Sequence, residues 1–156
     1  MTPAQAMDVG ERLIHLLSQQ RLLYRQLQEL AQKQSSLVDG SDPEMLLRVL
    51  AARQRLINKL SAIDHELEPI RADWKQIAQA LPDAQRQEAM ALVASVQEIL
   101  GTILANDEKD SKALNNQRQR VSSEIRGAST GKRVNQAYAQ NTAPPSNSLF
   151  DTVNKH

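Results

Sequence analysis

The stretch from Ala6 to Val38, AMDVGERLIHLLSQQRLLYRQLQELAQKQSSLV, decides the fold. Steps of alternately three and four residues land on Ala6, Val9, Leu13, Leu16, Gln20, Leu23, Leu27, Leu30, Gln34 and Leu37. Eight of these ten are apolar, and the two exceptions, Gln20 and Gln34, occupy the same heptad slot. Apolar residues so spaced share one side of an α-helix. Leu17, Tyr24, Ala31 and Val38 widen that side, which suits a helical bundle better than a two-stranded zipper.

Two further stripes follow. Asp39-Gly40 breaks the first, and Ser41-Asp42-Pro43-Glu44 reads as a new helix start. There Ser41 can accept from a first-turn N–H, Glu44 can reach back, and Pro43 loses no bond. The second stripe is Leu46, Val49, Arg53, Leu56, Leu60, Ile63, Leu67, Ile70, Trp74, Ile77 and Leu81, interrupted by Arg53 alone. Pro69 removes a donor inside this run and predicts a kink near Glu66 to Pro69. The alternative is a helix that ends at Glu68 and restarts; a stripe that keeps phase across Pro69 favours the kink.

Leu81-Pro82-Asp83 marks the second turn. Ala89, Val93, Val96, Leu100 and Ile103 carry the third stripe, flanked by Leu92, Ile99 and Leu104. Gly101 weakens that helix by about 1 kcal/mol relative to Ala. From Asn106 to Arg126 the chain is mostly polar, and Leu114, Val121 and Ile125 fit one narrow face. This segment is expected to stay helical, to bury little, and to project beyond its partners. Past Gly127 the chain is rich in Ser, Thr, Asn, Gly and Pro, too poor in apolar residues to offset its ordering entropy.

The expectation is an all-α fold, an elongated antiparallel three-helix bundle or coiled coil over residues 1–126. Its helices cover about 3–38, 43–80 and 83–126, with a disordered C-terminal tail over 127–156. At 1.5 Å per residue those helices are about 54, 57 and 66 Å long. Apolar stripes of this length can close within one chain or between copies, so a homo-oligomer stays open.

Composition removes other classes. With 156 residues, 3% aromatics, five Gly and six Pro, a β-fold or a Gly-loop nucleotide enzyme has little material. The absence of Cys excludes disulfides, thiolate zinc sites and Cys nucleophiles. A net charge of +1 gives no general reason to bind nucleic acid. The N-terminus carries Asp8 and Glu11 and no basic leader, so the chain reads as cytoplasmic. The most apolar window, Ala89 to Ala105, contains Gln97 and Glu98 and is too short to insert in a membrane.

Gly127-Ala128-Ser129-Thr130-Gly131-Lys132 imitates a phosphate loop, but has three residues between its glycines instead of four, and no strand before it. His15 and His65 sit two places past seam positions and should face solvent; no Glu-x-x-His pair is present. Neither catalysis nor a metal or cofactor is expected. Gln20, Gln34 and Arg53 have two readings: partial exposure or register setting, and an incompletely covered groove where another helix docks. Leu114, Val121 and Ile125 are either a weakly packed helix end or a surface for an amphipathic helix. Tyr138, near Lys132 and Arg133, is either an ordinary exposed residue or a short docking motif.

The layout resembles the FlgN family of flagellar type III export chaperones. The resemblance rests on the leucine heptads LIHLLSQQRLLYRQLQEL, the acidic turn LVDGSDPEML and the LLRVLAARQRLINKLSAIDHEL run. It continues through QALPDAQRQEAMALVASVQEIL, the polar LANDEKDSKALNNQRQRVSSEI and the Tyr-bearing GKRVNQAYAQN, and spans residues 8 to 151. Several relatives carry a Gly shortly after the tail Tyr, where this chain has Ala139-Gln140-Asn141. The resemblance implies a non-enzymatic cytoplasmic protein that binds C-terminal helical segments of hook-associated (hook–filament junction) proteins and delivers them to the export gate or ATPase. On that footing Leu114, Gln117, Val121 and Ile125, with Leu104 as inner edge, are the candidate client surface. Lys132, Arg133 and Tyr138 are the candidate docking residues for the export machinery. The competing reading is a coiled-coil adaptor that self-assembles through its heptads; a weaker one is a chaperone of the filament cap protein.

Overall fold

A computed structural model gives the architecture, and residues 1–124 are described. Among them the fold is all-α, with four helices and no strand: α1 (Pro3–Ser35), α2 (Pro43–Ala72), α3 (Trp74–Ala80) and α4 (Asp83–Glu124). The chain forms two compact units. The first contains Met1–Arg25 and Asn58–Ile99; the second contains Gln26–Ile57 and, of the described residues, 100–124.

Local chemistry sets the helix ends. Pro3 opens α1, where its missing N–H costs nothing. Thr2 Oγ1 accepts from Gln5 N–H at 3.2 Å, and Gln5 Oε1 accepts from Thr2 N–H at 2.9 Å, a reciprocal capping box. α1 ends at Ser35, three residues before the expected Val38. Two of its last carbonyls are taken by tight bonds, Ser36 N–H to Lys33 O at 3.2 Å and Leu37 N–H to Gln34 O at 2.9 Å. Gly40 supplies the left-handed step, with φ 81°.

α2 starts at Pro43 as expected, but its cap is Asp42 rather than Ser41. Asp42 Oδ1 accepts from Met45 N–H at 3.0 Å, the third helical residue after it. Ser41 instead donates to Asp39 Oδ1 from both N–H, at 3.0 Å, and Oγ, at 2.7 Å. Those donors, the backbone one first, hold the Asp39 carboxyl below its ordinary pKa.

Pro69 lies inside α2, and no restart occurs after Glu68; the interruption falls at Asp73, between α2 and α3. Near the proline, the Arg71 guanidinium donates to Asp64 O at 2.9 Å and to Asp64 Oδ1 at 2.8 Å. Asp64 O lies one residue before the carbonyl whose helical donor Pro69 lacks. Leu81 closes α3 through a 2.9 Å bond to Ile77 O, and its extended backbone leads into Pro82 and α4.

In the first unit Leu13, Leu16 and Leu17 of α1 pack with Ile63, Leu67 and Ile70 of α2. Ile77 of α3, Leu81, and Ala89, Leu92 and Val93 of α4 complete the cluster, and Trp74 borders it. Each large side chain so buried contributes about 1.5–3 kcal/mol. Gly10 is the point of close approach: a Cβ there would collide with the Gln85 side chain, whose amide reaches the Met7 carbonyl. His15 and His65 are exposed, as their seam offsets predict.

By length and composition α4 does qualify as a membrane span, contrary to the sequence expectation, with mean hydropathy 1.4 in an 18-residue window. Its buried residues include Ala89, Leu92, Val93, Val96, Leu100 and Ile103, the side the stripe assigned to the protein interior.

Candidate helix-binding site

The second unit contains the residues that the stripes could not explain. Arg53 stands where the α2 stripe demands an apolar residue, and it is buried at 5% exposure. Its Nη1 donates to Gln34 Oε1 of α1 at 2.7 Å and to Asp107 Oδ1 of α4 at 2.8 Å. Its Nη2 donates to Asp107 Oδ2 at 2.9 Å, completing a bidentate fork. Gln34 is as deeply buried as the apolar residues around it. Three helices therefore meet in a polar layer.

One turn further along α4, Asp110 is also buried and accepts from Ser35 Oγ at 2.9 Å. Burial raises its carboxyl above the ordinary pKa. The Ser35 hydroxyl opposes that rise, and nearby Asp107 adds to it. Beyond the layer, Leu114 packs with Val38, Leu46 and Leu50. Gln117 Nε2 donates to the Asp39 carbonyl in the α1–α2 turn at 2.5 Å.

These contacts correct two expectations. The polar seam residues are not partly exposed: Gln20, Gln34 and Arg53 are all interior, and the second unit's own helices fill the space around Gln34 and Arg53. Nor does α4 outrun its neighbours at its first polar residues, since it keeps partners as far as Gln117. The reason is that polar residues provide the contact, which a count of apolar positions overlooks.

The candidate client residues fall in different settings. Leu114 is buried in its own unit, Leu104 and Gln117 are half-buried, and Val121 lies within α4. Ile125, Lys132, Arg133 and Tyr138 lie outside the described residues, as does the tail over 127–156. From Leu104 to Arg120, Leu114 is the one buried apolar residue of α4. Sequence reasoning missed Asp107, Asp110 and Ser35. A signal for them existed: Asp107 and Asp110 continue the heptad series from Ile103 to Leu114 at steps of four, three and four.

Gln20, the counterpart of Gln34, lies in the first unit, and its buried Oε1 has no hydrogen-bond donor among the described residues. Among those residues there is also no group of three His, Cys, Asp or Glu able to hold a metal ion. No family model, curated protein or solved structure matches the chain.

Proposed function

We propose that this chain is a non-enzymatic, cytoplasmic export chaperone that binds C-terminal helical segments of hook-associated proteins and passes them to the type III export gate. In this reading residues 1–126 act as one antiparallel three-helix bundle. The client contacts Leu104, Leu114, Gln117, Val121 and Ile125. Lys132, Arg133 and Tyr138 engage the gate or its ATPase. No cofactor and no nucleic acid take part.

One observation supports this reading above the others. Between Ile103 and Arg120, α4 is held by a single buried leucine and by polar pairs. A helix anchored in that way is a candidate for local release, because little apolar area must be exposed. The freed end can then exchange its contacts with α1 and α2 for contacts with a client helix, which also enters the groove left behind. Ordering a flexible client costs part of the gross binding energy, which keeps the complex releasable.

The test is co-purification of the chain with the C-terminal segments of the two hook–filament junction proteins, with light scattering on any complex. A stoichiometric complex is expected, and Val121→Ala with Ile125→Ala should abolish it while helicity by circular dichroism is unchanged. No complex, together with a stable dimer of the chain alone, would replace this reading with that of a self-assembling adaptor.

A further inference from the structure

Release of α4 within the second unit would strand a charge. The Arg53 side chain is 6% exposed, its ion-pair partner is Asp107, and Gln34 offers it a neutral acceptor. An apolar helix laid in place of α4 would bury the guanidinium without a counter-charge, a costly arrangement. A helix with a carboxylate at the Asp107 place would restore the two-bond fork.

We infer that the second unit selects amphipathic protein helices bearing Asp or Glu where Asp107 stands and a large apolar residue seven places on, where Leu114 stands. The apolar residue fills the space lined by Val38, Leu46 and Leu50. An acceptor three places after the acid meets the Ser35 hydroxyl, as Asp110 does. Offsets of three and seven keep all three groups on one helical face. The segment of α4 from Leu100 onward is thus an internal copy of the partner it yields to. Gly101, whose surroundings are open, gives that segment a weak point near its start.

This inference rests on the helix-exchange reading above, and the test separates the two. The probe is a fluorescent peptide with the chain's own sequence from Leu100 to Glu124, titrated into the full-length protein and followed by anisotropy. Two further peptides carry Asp107→Asn and Leu114→Ala, so the protein itself is never altered. The native peptide should bind saturably, and the Asp107→Asn peptide at least tenfold more weakly at equal helicity. Raised salt should narrow that gap, since one contact is ionic. Equal affinity of native and Asp107→Asn peptides would overturn acid selection and leave helix exchange standing. No saturable binding by any of the three would overturn both. Capture of the junction proteins, and its loss with Val121 and Ile125, is measured independently of these peptides.

Discussion

The two units are built from the same three stretches of heptad sequence and both bury apolar residues, yet the second adds a polar layer that joins three helices. The first is closed by leucine, isoleucine and valine from α1, α2, α3 and α4. The second is crossed by a layer in which Arg53, Gln34 and Asp107 bond to one another, with Asp110 and Ser35 beside it. Apolar burial is tolerant and non-directional. A buried ion pair gains little over a hydrophobic isostere, but removing one partner is expensive and its geometry admits few substitutes. The difference teaches that the second unit depends on directional pairing where the first does not, the property on which the proposed partner selection rests.

The comparison can be broken most severely at its apolar side. Leu67→Ala in the first unit should cost about 3–4 kcal/mol, the usual range for a buried leucine with its cavity. Urea denaturation measures the loss. Hydrogen exchange should show it concentrated in Met1–Arg25 and Asn58–Ile99. Equal loss of protection in both units would mean that the chain opens as one body and the contrast has no energetic meaning. Asp107→Ala should cost about 3 kcal/mol by leaving Arg53 buried and unpaired, with the lost protection centred on Gln26–Ile57. Simultaneous replacement of Arg53 by Met and Asp107 by Leu should recover most of that loss, because the charge is then gone from both sides.

Leu114→Ala should cost about 2 kcal/mol, the lower end for a buried leucine, since its cluster is small. Gly101→Ala should stabilise by about 1 kcal/mol, because a Cβ there meets nothing within 4 Å. A higher urea midpoint with unchanged slope would confirm it; a lower midpoint would mean that a neighbour approaches the glycine after all.

The smallest effect belongs to Asp110, and its sign follows from the raised folded pKa. The native chain holds that proton more tightly than the unfolded chain does. The stability so gained is present below the ordinary value of 3.8 and is lost as pH rises through the raised folded value. Asp110→Asn should therefore be more stable than the parent at neutral pH, and its advantage should shrink as the solution is acidified. A melting-temperature difference independent of pH would show that Asp110 titrates normally.

Much of this architecture is legible in the residues. Every position of the second stripe is buried except Trp74, which borders the core. That stripe also placed Arg53 inside, while its charge argued for solvent. The conflict is resolved by Asp107, 54 residues away, and no local pattern contains that partner. The helix start at Pro43 was visible, but Asp42 and Ser41 are both good caps. Their roles were divided by Asp39, which occupies both Ser41 donors. The stripe that keeps phase across Pro69 argued for a helix running through the proline, and α2 does continue to Ala72, with Arg71 bonded back to Asp64.

Of the candidate site, Leu114 stood out by spacing and Gln117 came only with the family resemblance; the present partners of neither were legible. Heptad periodicity by itself determined the helices and which side of each turns inward, because helical geometry repeats over a few residues and burial follows it. Only the tertiary structure decided which polar groups share an interior. Hydrogen bonds and ion pairs are directional and short-ranged, and here they join residues that lie far apart in the chain.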